Sequence, residues 1–156
     1  MKLTDLLSPE LIKIPIESTE KKGVIKELVD LLVKNNKVSG KQAVLDAVLE
    51  REKVMSTGVG QGIAIPHGKT DGVDTVVASL GISKKDIDFQ AIDEKPVHIV
   101  FLLVAPPYET GLHLKALSRV SRLLSKEEFR KKLMNAKDAR TAMKFIQEEE
   151  KKYFEI

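Results

Sequence analysis

The sequence predicts an α/β fold in which a central mixed β-sheet is flanked by helices on both faces. The stretch from Val97 to Ala105 is apolar apart from His98, and a strand of that kind needs cover on both faces of its sheet. Amphipathic segments with a helical period lie before and after this stretch, and short strand-like segments lie between them. At 156 residues the chain suits one compact domain, which we assign to residues 1–156.

The first part of the chain predicts an edge strand and two helices. Residues 12–16 alternate isoleucine with a lysine and a proline, which is typical of an edge strand. Ser18 or Thr19 is then expected to cap a helix with an apolar stripe. Ser39 and Gln42 have the spacing of a capping box, which predicts the start of a second helix.

The rest of the chain predicts short strands around the apolar run, followed by three helices. Alternating or continuous apolar residues indicate the strands, and turn residues or prolines separate them. The expected elements are a strand over 63–66, a turn over 69–72, strands over 75–82 and 97–104, loops over 86–89 and 93–96, helices over 113–124 and 125–133, the second starting at a capping box of Ser125 and Glu128, and a last helix through 139–146 whose charged tail, 148–152, extends into solvent.

Composition excludes several classes of function. The net charge is +3, from 26 basic and 23 acidic residues, and only 4% of residues are aromatic, so nucleic-acid binding is not expected. No apolar run approaches the roughly 20 residues that cross a membrane. Residues 1–5 lack the apolar centre of a signal peptide, and the chain has no cysteine, so we expect a cytoplasmic protein.

The segment from Ser56 to Lys69 holds the most informative pattern in the chain. Glycines at positions 58, 60 and 62 give its backbone unusual freedom, and a short apolar run then ends at Pro66, which has no N–H to donate. His67 follows directly, so its ring is expected at a sheet edge with open space around it. Because the unperturbed pKa of histidine is about 6.5, the neutral ring can act as a nucleophile near physiological pH. The alternative is a structural histidine that caps the strand.

This segment resembles the phosphorylation site of the enzyme IIA proteins of the bacterial phosphotransferase system (PTS), in the fructose/mannitol and nitrogen-regulatory branch. Further motifs extend the resemblance over nearly the whole chain in the expected order. The matching residues are Arg51-Glu52, Ser56-Thr57-Gly58, Gly62-Ile63-Ala64-Ile65-Pro66-His67, Pro96-Val97-His98-Ile99-Val100-Phe101-Leu102-Leu103, Ala105-Pro106 and His113-Leu114-Lys115-Ala116-Leu117.

The resemblance implies the fold of the mannitol/fructose enzymes IIA and a role as a phosphocarrier. His67 would accept a phosphoryl group from phospho-HPr and pass it to the cysteine of an enzyme IIB, with Arg51 and His113 beside it. The residue types suit this chemistry, since a guanidinium group offers planar donors to phosphate oxygens and an imidazole N–H can bind the same group. The scheme needs no metal ion and no cofactor.

Other enzyme classes fit the motifs poorly. Gly68-Lys69-Thr70 looks like the end of a P-loop, but the first glycine of that motif falls on Ile63. The glycines at 58, 60 and 62 miss the dinucleotide-binding spacing by one residue. No serine lies in the G-x-S-x-G motif of serine hydrolases.

His98 is the least informative of the three histidines. It lies inside the apolar run, where a polar side chain needs a hydrogen-bond partner, and we assign it a structural role. The spacings of His67, His98 and His113 match no common zinc motif, so a metal site is not expected.

A regulatory role is the alternative to sugar transport. Nitrogen-regulatory enzymes IIA share the fold and the histidine, and they signal by binding other proteins according to their phosphorylation state. The motifs do not separate the two branches. A chain without fused IIB or IIC segments favours the regulator.

Overall fold

The buried strand β6, Val97–Ala105, lies at the centre of a mixed β-sheet of six strands. The structure is a computed structural model, and it describes residues 2–154. Every residue of β6 is buried except His98, in agreement with its nearly continuous apolar sequence. The expected central strand is therefore confirmed.

One side of β6 is occupied by the long strand β5, Val77–Ile87, which pairs with it in antiparallel orientation. β1, Ile12–Lys13, pairs in parallel with β5 at the edge of the sheet. The predicted edge strand near the start of the chain is thus present, although it is shorter than residues 12–16.

The other side of β6 carries two short strands that lead to and include His67. β3, Ile63–Ala64, and β4, His67–Lys69, both run parallel to β6, and β2, Gly58–Gly60, pairs antiparallel with β3. Pro66 separates β3 from β4 because it has no N–H, yet its carbonyl still accepts a hydrogen bond from the Leu103 amide at 3.0 Å. The register places His67 opposite Leu103.

The turn between β2 and β3 requires its glycines. Gly60, Gln61 and Gly62 have φ angles of 103°, 60° and 78°, a left-handed run that side chains with a Cβ rarely adopt. The Gly62 carbonyl accepts hydrogen bonds from the amides of His98 and Ile99, at 2.9 and 3.1 Å. The glycine-rich segment therefore turns the chain back and fixes β3 against β6.

Helices cover both faces of this sheet, as the sequence predicts. α1, Lys21–Lys34, packs on β5, and α2, Lys41–Val54, packs on α1 and β4. α3, Thr110–Leu123, and α4, Glu127–Met134, pack on β6, while α5, Ala139–Phe154, packs on β1, α3 and α4. None of the helices within residues 2–154 is long and apolar enough to span a bilayer.

Gly68 is the position where α2 approaches β4 most closely. A Cβ at Gly68 would lie 3.0 Å from the backbone nitrogen of Val48 and 3.1 Å from the carbonyl carbon of Ala47. Only a residue without a side chain allows the helix backbone to pack at this distance. Arg51 lies one helical turn beyond Ala47 on the same face, so this contact places Arg51 at the edge of β4.

Because side chains alternate along a strand, the first and last residues of β4 lie on the face opposite to that of Gly68. Because Gly68 faces α2, the side chains of His67 and Lys69 point toward α3. His113 and Thr110, both in the first turn of α3, contact these two side chains. The sheet edge at β4 thus lies between α2 and α3.

Three helix starts predicted from serine or threonine are wrong. The N-cap residues of α1, α2 and α4 are Glu20, Gly40 and Lys126. The hydroxyl group of Ser39 instead donates to the Gly72 carbonyl at 3.1 Å, and that of Ser125 donates to the Arg122 carbonyl at 2.6 Å. These hydroxyls bond to a neighbouring loop and to the preceding helix, so they do not cap the helix that follows.

Several element boundaries also differ from the prediction. His67 begins β4, whereas the sequence suggested that it follows the end of a strand. α3 begins at Thr110, which places His113 in its first turn. β5 continues to Ile87, into the predicted loop over 86–89, because its pairing with β6 continues there beyond a register shift.

The prediction that the charged tail extends into solvent holds for Glu148, Lys151 and Lys152, which are exposed, and is wrong for Glu150. α5 continues through this segment, and Glu150 is buried with 3% of its surface exposed. Its carboxylate accepts hydrogen bonds from the amides of Leu3 and Thr4, at 2.6 and 3.1 Å, and lies 3.6 Å from Arg119. Glu150 therefore ties the C-terminal helix to the start of the chain.

We predict that Gly68→Ala lowers the free energy of unfolding by about 1–3 kcal/mol, because the new methyl group forces α2 away from β4. Urea denaturation of both proteins measures this difference. Gly111→Ala is the matched control, since a Cβ there meets no atom within 4 Å beyond its chain neighbours and the backbone of its own helix, and alanine favours the helix. Equal stability of the Gly68→Ala variant and the wild type would contradict the close contact.

Candidate active site

A cleft at the open edge of β4 brings together the residues singled out in the sequence. It has a volume of about 340 Å³ and lies between the end of α2, strand β4 and the first half of α3. Its wall contains cationic groups, imidazole groups and leucines. The lining residues are Ala47, Arg51, His67, Gly68, Lys69, His113, Leu114 and Leu117.

His67 is held in one orientation by the backbone beside it. Its Nδ1 lies 2.9 Å from the carbonyl oxygen of Ile65. A carbonyl only accepts hydrogen bonds, so Nδ1 carries the proton, and this partner assigns the tautomer. The lone pair of the neutral ring is therefore on Nε2, the nitrogen that can attack an electrophile.

His113 lies against His67 in a buried position. The ring centroids are 5.5 Å apart, the planes meet at 89°, and only 2% of the surface of His113 is exposed. Among the described residues, neither ring nitrogen of His113 has a hydrogen-bond partner. An unpaired buried polar group costs about 1–3 kcal/mol, so a ligand atom that reached His113 would gain a favourable interaction.

Both imidazoles favour the neutral form. Burial, and then repulsion from a protonated His67 and from the Lys69 ammonium group, lower the pKa of His113 to about 4. Burial also lowers the pKa of His67, and the charges of Arg51 and Lys69 act in the same direction. The Ile65 carbonyl and the charge of Glu52 oppose this effect on the pKa of His67, but burial is the largest cause. A neutral His67 is the form that a nucleophile requires.

Two cations complete the cleft. Arg51 lies in the last turn of α2, and its Nη1 donates to the Met55 carbonyl at 2.9 Å. Lys69 lies two residues beyond His67 on the same face of β4, and its ammonium group donates to the Thr110 hydroxyl at 3.1 Å. Together they provide a planar fork of donors and a point charge in the cleft that His67 also lines.

The three residues predicted for the site, His67, His113 and Arg51, all line this cleft. Their chemical roles stay predictions. His98 does not line it; its Nε2 lies 2.8 Å from the Asp86 carboxylate, so it has the partner that a structural role requires. The sequence places Lys69 in a turn, so Lys69 is not among the predicted site residues. The spacing of residues 67 and 69 could have indicated Lys69, because two residues at this spacing share a face if they lie on one strand.

Comparison with known families identifies the class of this protein. Residues 5–149 match the family described as "Phosphoenolpyruvate-dependent sugar phosphotransferase system, EIIA 2". The chain belongs to this family, and it is an enzyme IIA, the phosphocarrier component of a phosphotransferase system. The resemblance found in its motifs is confirmed.

Relatives from both functional branches match most of the chain. The fructose-specific EIIABC component of Bacillus subtilis (strain 168) is 43% identical over 97% of the chain, but the chain spans only 24% of that protein. The fructose-specific EIIA component of Haloferax volcanii is 40% identical, with 95% of this chain and 98% of the relative covered. A nitrogen regulatory protein of Bradyrhizobium diazoefficiens is 39% identical, with 89% of this chain and 90% of the relative covered.

Solved structures share the fold. The nitrogen regulatory protein IIA-Ntr of Neisseria meningitidis superposes with a TM-score of 0.85 at 31% identity, over 92% of this chain and 98% of the other. A complex of enzyme IIAMTL and phosphorylated enzyme IIBMTL of Escherichia coli superposes with a TM-score of 0.78 at 21% identity, over 91% of this chain and 97% of the other. The predicted mannitol/fructose-type fold is confirmed.

We predict that His113 titrates with a midpoint near pH 4 in the folded protein, because burial disfavours its charged form. Histidine NMR resonances followed against pH measure this, and His113→Gln identifies the signal. A folded pKa below the unfolded value means that the associated stability is complete above about pH 6.5 and is lost as the pH falls toward 4. A midpoint near 6.5 for His113 would contradict the buried, unpaired environment.

Proposed function

We propose that this enzyme IIA accepts a phosphoryl group from phospho-HPr on Nε2 of His67 and passes it to the cysteine of a fructose-type enzyme IIB. The hydrogen bond between His67 Nδ1 and the Ile65 carbonyl, at 2.9 Å, carries this proposal because it leaves the lone pair on Nε2. The names of the fructose-specific relatives, at 43% and 40% identity, support the choice of sugar. We expect the exchange to take place in the cytoplasm.

The proposed reaction is a direct transfer from phospho-HPr to a nitrogen atom of His67. The lone pair of His67 Nε2 attacks phosphorus in line with the bond that joins the phosphoryl group to HPr, the new N–P bond forms, and the bond from phosphorus to HPr breaks. The phosphoryl group then leaves in the same way when the thiolate of enzyme IIB attacks it. The protein supplies position and charge stabilisation, which are the main terms in phosphoryl transfer.

The residues around Nε2 have separate roles in this scheme. Arg51 offers donors in a plane that match two phosphoryl oxygens, and the Lys69 ammonium group adds a positive charge. His113, neutral and buried, donates its N–H to a third oxygen and thereby gains the hydrogen bond that it lacks. Leu114, which is 61% exposed, and Leu117 provide apolar surface beside the cleft for a docking partner.

A nitrogen-regulatory role is the second candidate. The Bradyrhizobium relative, at 39% identity, and the Neisseria structure, with a TM-score of 0.85, both carry that name. In this alternative His67 is phosphorylated by the same chemistry, but the phosphorylation state controls binding to another protein. The two functions therefore differ in the acceptor.

We predict that the wild-type protein gains the mass of one phosphoryl group when incubated with enzyme I, HPr and phosphoenolpyruvate, and that the modification is acid-labile. His67→Ala should gain none, because the nucleophile is lost. His113→Ala should still label, but about 10²-fold more slowly, since it loses one donor to the phosphoryl group. Intact-mass spectrometry over time measures all three.

His98→Gln is the matched control, because His98 lies outside the cleft, and it should label at the wild-type rate. Full labelling of His67→Ala would assign the phosphoryl group to another residue. A wild-type protein that does not label, while a control enzyme IIA does, would contradict the carrier function.

The acceptor is tested with the phosphorylated protein. We predict that purified phospho-protein transfers its group to a fructose-type enzyme IIB, with loss of mass from one protein and gain by the other. Replacement of the acceptor cysteine of enzyme IIB by serine is the control, and it should stop transfer. A phospho-protein that is stable in the presence of several active enzymes IIB would favour the regulatory function.

A further inference from the structure

We infer that Glu52 is a positioning residue for His67, to which it is connected through Thr57 and Ile65. The inference rests on the proposed function, in which Nε2 of His67 accepts the phosphoryl group. The connection lies outside the cleft, since neither Glu52 nor Thr57 lines it.

Glu52 has an unusually complete set of partners for a buried carboxylate. It is 6% exposed and lies in the last turn of α2, next to Arg51. Its Oε1 accepts a hydrogen bond from the Thr57 amide at 2.8 Å and lies 3.1 Å from the Lys21 ammonium group. Its Oε2 accepts from the Thr57 hydroxyl at 2.6 Å. A buried carboxylate is tolerated when it is paired in this way.

Thr57 connects this carboxylate to Ile65, two residues before His67. Thr57 is buried, and its carbonyl accepts a hydrogen bond from the Ile65 amide at 3.0 Å. The Ile65 carbonyl in turn accepts the hydrogen bond from His67 Nδ1 at 2.9 Å. Continuous contacts therefore lead from Glu52 through two backbone groups to the imidazole, and the last of them selects the tautomer.

The same contacts connect the α2 side of the cleft, which carries Arg51, with the β4 side, which carries His67. Arg51 and Glu52 are consecutive in α2, and both side chains bind the segment that follows the helix: Arg51 bonds to Met55 and Glu52 bonds to Thr57. A change at Glu52 thus affects the position of the Arg51 donors as well as the Ile65 carbonyl. Residues that fix reacting groups in this way strongly affect the rate of phosphoryl transfer, because a small displacement of the nucleophile or the donors disturbs the in-line geometry of the attack.

The inference is tested with Glu52→Gln and Thr57→Val. The first removes the charge and one acceptor, and the second removes the hydroxyl donor while keeping the shape. Long-range ¹H–¹⁵N NMR of histidine side chains in the unphosphorylated protein reads the tautomer of His67. We expect the wild type to carry its proton on Nδ1 and both variants to show a mixture of tautomers. Both should also accept the phosphoryl group at least about tenfold more slowly.

Matched variants separate positioning from loss of stability. Thr57→Ser keeps the hydroxyl and should restore the wild-type tautomer and rate. Glu50→Gln makes the same chemical change at an exposed position of α2 and should have no effect. If Glu52→Gln fails to fold, the inference is tested by comparing the tautomer and the phosphorylation rate of Thr57→Val with those of Thr57→Ser.

A variant pair with lower melting temperature but unchanged tautomer and rate would overturn the inference, because that is the result of a purely structural contact. The NMR measurement does not depend on phosphorylation. A change of tautomer in a protein whose wild type is never phosphorylated would therefore support the connection from Glu52 to His67 while contradicting the proposed function.

Discussion

The buried central strand β6 is the constraint on which the rest of the structure depends. Its side chains pack on both faces of the sheet, so a shift of one residue would exchange the two sets of contacts, and its register is strongly specified. β3 and β4 pair in parallel with it, and the carbonyl of Pro66 bonds to Leu103 between them. The position of His67 follows directly from this register.

The site combines a rigid backbone with groups that favour an anion. Two imidazole rings in contact cannot both become charged without like-charge repulsion in a partly buried environment, and burial lowers the pKa of each. Arg51 and Lys69 keep the local charge positive while His67 and His113 are neutral. In the proposed function, a phosphoryl group on His67 would bring negative charge to the cations and a hydrogen-bond acceptor to the unpaired imidazole.

Two adjacent residues at the end of α2 contact different parts of the site. The side chain of Arg51 reaches the cleft, whereas Glu52 turns inward to Thr57 and Lys21. Gly68 allows this helix end to pack directly on the strand that carries His67. The charged group in the cleft and the buried carboxylate behind it are therefore positioned by the same helix–strand contact.

Much of the site was predictable because its residues belong to recognisable local motifs. His67 follows a glycine-rich turn and a proline, and Arg51 and His113 belong to short segments with the same family resemblance. Lys69 was missed because its role depends on where β4 begins, and a turn and a strand of three residues look alike in sequence. Glu150 was missed because its partners, Leu3 and Thr4, lie at the other end of the chain.

The sequence by itself determined the fold class and the central strand, because hydrophobic periodicity is a local property. It also indicated Arg51, His67 and His113 as candidate site residues, through the family resemblance of short motifs. Only the tertiary structure decided the tautomer of His67, the low pKa of His113, the helix starts and the connection from Glu52. Each of these depends on a carbonyl, an amide or a charge that another part of the chain brings within hydrogen-bonding or electrostatic range.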